Sequence, residues 1–405
     1  TNLVLDGDYT INRLPGSICR KLKLKSLIAN SYDDYVKRSV MLINNDSVYE
    51  HVLEKIKKLN IEKTLKDTNY NKQIFEQMLK LVHNYEMEHS LQNNKKLKIC
   101  IQGWRGLNHS YAIITRQLVQ DLLGNGTEVY FKDVEYPVQY RNIWKREPDI
   151  LMDRLPEPKG KVDMTIRISY PYNYEPSPFS KKLIVFGTAE FMYVNPQMYM
   201  NRQLLDNKNT YLWCPSYYSR EGFIRAGFDE KQTFVVSHAV DYTNFVELDT
   251  EQRNKLRATY NINADDTVLL HLGSGTGNKN IDTILEVFSH IRQKYPKTKL
   301  LLKLAFKLYQ IGIENKLDKW GRDNIIYITD DFTTKQMNEL YEISDVYLSP
   351  YLAEGFNLPV LEAMAHGVIP VMTKGGPTDE FCIPNVTFPI DSTFSIMRTY
   401  IINRR

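Results

Sequence analysis

The chain has 405 residues, too long for one ordinary core and enough for two or three domains of roughly 100–200 residues each. Hydrophobic residues make up 42% and charged residues 25%, a soluble globular balance. The net charge of +4 gives no electrostatic case for nucleic acid or a membrane surface as the main partner.

Residues 1–95 are polar, Lys/Asn-rich and read as mainly helical. Val48, Val52, Ile56 and Leu59 recur at helical spacing, as do Ile74, Met78, Leu81 and Val82. Between Gly16 and Gly103 there is no glycine, so this region lacks the tight turn of a nucleotide-binding loop. Asp6-Gly-Asp8 reads as a turn rather than a metal-binding acidic pair. From residue 97 strands and helices alternate. Strands are expected at 97–103, 127–132, 162–169, 183–187 and 211–215, with helices at 109–123 and 217–226. A second alternating set follows, with strands at 267–273, 299–305, 324–329, 346–349 and 368–372 and helices at 281–294, 334–343 and 358–366. The sets divide near 238–248. The expected fold class is α/β: two doubly wound Rossmann-like domains, 96–240 and 241–405, facing a cleft and preceded by a helical segment over 1–95. Ligands of such sheets bind beyond the carboxyl ends of strands, so each strand-to-helix loop is a candidate site.

Cys19, Cys100, Cys214 and Cys382 are too far apart for zinc-ligand or redox motifs. Cys100 and Cys214 lie in apolar runs and read as buried thiols, and so few cysteines fit a reducing compartment, so a cytoplasmic location is expected. No run approaches the roughly 20 apolar residues of a membrane span, and no signal peptide opens the chain. The Asn-x-Ser/Thr triplets at Asn45, Asn108, Asn125 and Asn385 arise easily in an Asn-rich chain and are not read as glycosylation. The first residue is Thr1, which suggests a piece of a longer protein.

The most informative loop is 349–362. Asn357 reads as an N-cap, Pro359 suits a first helical turn, and Gly367 suits the stop after the last. The free N–H groups of such a helix start form an anion site, and Gly355 lets backbone approach a ligand closely. Glu354 precedes the helix and Glu362 lies a little over one turn into it, separating the carboxylates by roughly 8–10 Å. Two anionic acceptors at that spacing suit the diols of two sugar rings; two solvated acids favoured by the helix dipole fit the spacing as well. In 272–280, Gly273, Gly275 and Thr276 lie between strand and helix, where exposed N–H groups can form a phosphate nest, with Lys279 adding a positive charge.

Glu354-Gly-Phe-Asn-Leu-Pro-Val-Leu-Glu362, with Ala363-Met-Ala-His-Gly367 and Pro370-Val371, closely resembles the acidic motif of glycosyltransferase family 4. That resemblance implies a GT-B fold, a UDP- or GDP-linked sugar donor as substrate, no cofactor, no required metal and retention of configuration. It implies that Glu354 contacts the transferred sugar and Glu362 the ribose, with Gly355, Phe356, Asn357 and Leu358 around the donor. The 272–280 turn is similar to the family's glycine loop and donor-binding lysine. It departs in carrying Ser274 where many members have arginine, which leaves Lys303 or Lys307 to supply a second charge or the diphosphate less tightly held. Pro215-Ser216, Glu221-Gly-Phe, Gly227 and Ser237-His-Ala-Val-Asp241 with Phe245 resemble the segment leading out of the family's first domain, with Ala239 at a position usually glycine.

In the first domain, Gly103, Gly106 and His109 occupy the position of the family's first glycine loop, facing phosphates and acceptor. His109 is a candidate cleft contact, although a loop histidine is often simply solvated. Glu190, at the end of another strand, is a candidate to bind acceptor hydroxyls or to assist proton removal, with a helix-cap acid as the alternative. The acceptor is expected to be a glycan or a protein. An epimerase on the same fold and a non-catalytic glycan- or partner-binding module are the competing readings. Leu14-Pro-Gly16, 27–36 and Phe75-Glu76 resemble the C-terminal tail of O-linked N-acetylglucosamine transferases, implying a parent with two fused transferase modules; a plain helical extension is the alternative. The final 394–405 segment is barely long enough to begin the helix with which GT-B proteins usually close.

Overall fold

Strands whose residues are apolar on both faces belong in the middle of a parallel sheet, and three such runs anchor the first one. The computed structural model describes residues 4–5, 28–29, 96–107, 109–136, 146–191, 207–240, 245, 248–305, 310–382 and 386–393. The chain divides into two units, Thr1–Asn84 and Tyr85–Arg405. In the first unit, β1 (Val4–Leu5) pairs in parallel with β2 (Ile28–Ala29). Asp6-Gly-Asp8, the mainly helical reading with its repeats at 48–82 and the transferase-tail resemblance otherwise fall outside the described residues, as do Lys307 and 394–405.

In the second unit, β3 (Lys98–Gly103) leads into α1 (Ser110–Gly124), followed by β4 (Glu128–Asp133), α2 (Ile150–Asp153), β5 (Met164–Ile168), β6 (Lys182–Phe186), β7 (Thr210–Cys214), α3 (Tyr217–Arg225) and β8 (Thr233–Val235). β3, β5 and β6 are buried almost throughout. The order is β4-β3-β5-β6-β7-β8, every pair parallel. The chain reverses direction across the sheet between β3 and β5, so the loops after those strands flank a natural crevice. α1 starts at His109, whose Nδ1 accepts from the Tyr111 N–H at 3.2 Å, and its inner face buries Tyr111, Ile114, Val119 and Leu122.

The second sheet is built from α4 (Thr250–Thr259), β9 (Thr267–Ser274), α5 (Ile281–Lys294), β10 (Thr298–Ala305), α6 (Gln310–Trp320), β11 (Ile325–Ile328), α7 (Thr334–Glu342), β12 (Val346–Ser349), α8 (Leu358–Ala365), β13 (Ile369–Thr373) and β14 (Phe388–Ile390). Its order is β11-β10-β9-β12-β13-β14, again all parallel, with the reversal between β9 and β12. Ile281, Ile284, Leu285 and Phe288 of α5 pack on Leu300, Leu302 and Leu304 of β10 in one core; each such side chain contributes roughly 1.5–3 kcal/mol on burial.

α4 escaped the sequence reading for a physical reason. Its one buried side chain is Arg257, so it has no apolar stripe. A capping box between Asp249 and Gln252 starts it. Arg257 then holds it down, donating to the Ile343, Ala264 and Asp266 carbonyls and pairing with Asp345 at 2.9 Å.

Candidate active site

The carboxyl ends of both sheets open onto one cavity of about 1630 Å³. On the second-sheet side, the turn after β9 and the loop after β12 meet because asparagines stitch them together. Asn280 Nδ2 donates to the Pro350 carbonyl at 3.0 Å, Asn278 Nδ2 to the Ala353 carbonyl at 3.1 Å, and the Leu352 N–H to the Asn278 carbonyl at 2.8 Å. Lys279 closes this seam, and its ammonium forms an ion pair with the buried Glu354 carboxylate. The lysine expected at the diphosphate and the acid expected at the sugar therefore hold each other.

Glu362 faces the same cavity one helical turn into α8. The Tyr341 hydroxyl donates to its Oε2 at 2.7 Å. Burial lifts the Glu362 pKa, an effect that this hydrogen bond opposes. Tyr341 in turn stacks on His366, which bonds Glu342 at 2.6 Å. Lys303 also reaches the cavity wall; it is buried, burial lowers its pKa, and its ammonium lies 5.4 Å from the Phe332 ring centre.

Two expectations need correction. Asn357 stands at the N-cap position of α8, as expected, but its side chain makes no cap hydrogen bond. It adopts a left-handed conformation (φ 77°), and its Nδ2 donates inward to Ser349 Oγ at 2.9 Å, tying the loop to the end of β12. The glycine loop also keeps an extended chain through Ser274, because β9 stays paired with β10 as far as Ala305. None of Gly273, Gly275 and Gly277 is in the positive-φ region; Asn280 (φ 57°) takes that conformation instead. A nest built on alternating left-handed glycines is therefore absent at 273–277. Gly273, Ser274 and Thr276 line the cavity, with Ser274 and Thr276 hydroxyls 2.6 Å apart, whereas Gly275 is not on the wall.

The first-sheet side contributes single residues from separate loops. Glu190 follows β6, stands open to the cavity and accepts from Asn278 Nδ2 at 3.4 Å. More than a third of its surface is exposed, yet the recess strips water from it and the Glu354 charge adds to that; Lys279 opposes both, and the pKa settles at about 6. His109 lines the cavity and packs edge-on against Trp104; burial lowers its pKa to about 4, so it is neutral near pH 7. Gly103 and Gly106 lie off the wall. A Cβ at 103 would come within 2.9 Å of the Ile168 carbonyl, and one at 106 (φ 65°) within 2.1 Å of the Glu147 carbonyl. Both glycines serve close backbone packing.

The sequence reading missed several neighbours. Asn278 touches both Glu190 and the 353 carbonyl. His238 lines the cavity edge-on to Phe356, with ring centres 4.8 Å apart, and burial lowers its pKa to about 3. Tyr341 orients Glu362. His238 and Asn278 sat in motifs the sequence singles out, but without a role of their own; Tyr341 is an ordinary helical aromatic until tertiary contact gives it a partner. Among the described residues no group of three or more His, Cys, Asp or Glu is placed to hold a metal ion, and no helix is long and apolar enough to cross a membrane.

Two Rossmann-like parallel sheets facing a charged cavity define the GT-B class of α/β architecture. Residues 252–395 match the family described as Glycosyl transferases group 1. The chain is 28% identical over 177 residues to the lipopolysaccharide 1,2-N-acetylglucosaminetransferase of Salmonella typhimurium; the match covers 41% of this chain and 45% of that enzyme, so the chain spans under half of its relative's length. Among solved structures it is similar to Anabaena HepE in complex with UDP-glucose (TM-score 0.55, 13% identity, 73% of this chain and 85% of that one). It is similar in the same degree to WaaG, a glycosyltransferase involved in lipopolysaccharide biosynthesis (TM-score 0.55, 14% identity, 74% and 87%).

Proposed function

We propose that the chain is a hexosyltransferase of the family 4 type, moving a hexose or deoxyhexose from a nucleoside-diphosphate sugar to a glycan or protein acceptor with retention and without a metal or cofactor. The observation that carries this reading is the convergence of Lys279, Glu354 and Glu362 with Glu190 on one cavity. The resemblance of 252–395 to group 1 glycosyltransferases supports it, as does a fold shared with a protein that binds UDP-glucose.

The chemistry follows from the charges. Donor arrival splits the Lys279–Glu354 pair: Lys279 turns to the diphosphate and Glu354 accepts from hydroxyls of the transferred sugar. Negative charge grows on the diphosphate as the glycosidic bond breaks. Lys279, with Lys303 as the second cation, stabilises that charge in a recess where fixed charges act strongly. Glu362 accepts from the ribose diol. The acceptor hydroxyl attacks from the face the diphosphate leaves, and its proton passes to the departing phosphate oxygen. Glu190 orients that hydroxyl, and this needs its ionised form. The similarity to a lipopolysaccharide N-acetylglucosaminetransferase supports a bacterial-type glycan as acceptor, and the few, scattered cysteines support the cytoplasm as the site of work.

The test is incubation of the purified chain with UDP- and GDP-linked sugars, following nucleoside diphosphate release. Release that rises on adding acceptor supports the reading. Sugar interconversion without acceptor would identify an epimerase, and absence of binding by titration calorimetry would identify a non-catalytic module.

A further inference from the structure

The two carboxylates that face each other across the cavity belong to different sheets, yet one hydroxyl sits behind both. Ser219, in the first turn of α3, is fully buried and is not on the cavity wall. Its Oγ accepts from the Ala189 N–H at 3.1 Å, next to Glu190. The same hydroxyl donates to the Gly355 carbonyl at 2.8 Å, next to Glu354. Contact at this seam leaves no room for a side chain at 355, since a Cβ on Gly355 would lie 2.4 Å from Thr188 Oγ1 and 3.3 Å from Ser219 Oγ. The neighbouring bonds differ in kind. Ser216 Oγ also donates to the Gly355 carbonyl, at 2.7 Å, but its other role is to accept the Ser219 N–H at 3.0 Å as the cap of α3. Glu380 accepts the Tyr217 and Tyr218 N–H groups at 2.9 and 2.7 Å, docking the helix end onto the second sheet's domain. Among these contacts the Ser219 hydroxyl joins residue 189 directly to residue 355.

We propose that Ser219 is a positioning residue that sets the spacing of Glu190 against Glu354, and so of the acceptor hydroxyl against the donor sugar, without touching either substrate. This rests on the transferase reading. A bridge one atom long fixes separation in a way that the longer Glu380 contact does not, and a small error in approach is costly because transfer needs reacting atoms in near-attack geometry.

Ser219→Ala removes the bridge, and Ser216→Ala removes one Gly355 bond and the helix cap while leaving the bridge in place. In Ser219→Ala, transfer kcat is expected to fall by about tenfold or more with donor KM unchanged, the loss of one buried hydrogen bond expressed at the transition state. The acidic limb of its pH–kcat profile moves to lower pH, because a loosened seam lets water back to Glu190 and no longer holds the Glu354 charge beside it, which outweighs the weaker opposing pull of Lys279. Ser216→Ala is expected to lose more Tm but less kcat. An unmoved limb, or kcat losses that follow Tm in both variants, overturns the proposal. A wild-type chain that turns over no nucleotide sugar defeats the functional reading instead, before any variant is compared.

Discussion

The two walls of the cavity solve different problems. The wall of the second sheet is charged: Lys279, Glu354, Glu362 and Lys303 reach it from the ends of β9, β10 and α8 and from the loop after β12. The wall of the first sheet is nearly neutral in net charge: Arg116, paired with Asp149 at 2.8 Å, and Arg154 offset Glu190, His109 and His238 are depressed to about 4 and 3 by burial, and tyrosines stand at 170 and 172. A diphosphate needs fixed cations and tolerates little misplacement, whereas a sugar hydroxyl needs shape, apolar surface and one acceptor. The asymmetry teaches that the charged wall can be written in short contiguous motifs, while the neutral wall must be collected from distant loops. Tyr172 shows how: its hydroxyl accepts the Thr188 N–H and donates to the Thr188 carbonyl, both at 2.8 Å, and meets the Tyr111 hydroxyl at 3.0 Å.

The sharpest way to break this comparison is at Glu354. Glu354→Gln removes the charge that holds the sugar, and kcat is expected to fall roughly 10²–10³-fold, the usual cost of one preorganised electrostatic contact. The same change frees Lys279, so nucleoside diphosphate alone should bind more tightly to the variant in titration calorimetry. Unchanged kcat and diphosphate affinity together would remove Glu354 from the donor site. Next in size, Glu362→Ala should weaken donor binding by about 10–100-fold through loss of a charged hydrogen bond, with kcat little altered. A kcat loss at constant donor Kd would move Glu362 from binding to chemistry.

Gly355→Ala tests the seam between the walls. The added methyl meets Thr188 backed by the Tyr172 network, at an overpacking cost of ~1–3 kcal/mol. Both Tm and transfer rate should drop, and Thr188→Ala in the same chain should recover part of each; no recovery would place the defect elsewhere. The smallest effect is expected at Glu190. Its pKa is raised to about 6, so lowering the pH through 6 protonates it and the rate should fall on that acidic side. Glu190→Gln should flatten this limb and cost only a few-fold at neutral pH, consistent with the limited gain from orienting a hydroxyl. A limb that survives the substitution belongs to another group.

The sequence was sufficient where information is local. Apolar runs specified five of the six strands of each parallel sheet to within a residue or two, missing only the short edge strands β8 and β14, and Glu354 and Glu362 could be picked out because nine consecutive residues carry them. It was blind where a residue's role is set by a partner far along the chain. α4 is anchored by a buried arginine that looks like a surface charge until Asp345 is beside it. Asn357 satisfies the cap preference in type, yet spends its amide on Ser349, and Gly103 and Gly106 serve backbone packing where a ligand loop was expected. Composition and periodicity report what each residue prefers of water and of its near neighbours. Which hydroxyl lies between residues 189 and 355, and which lysine neutralises Glu354, are decided only when crossovers bring segments 75 to 136 positions apart within 3.5 Å.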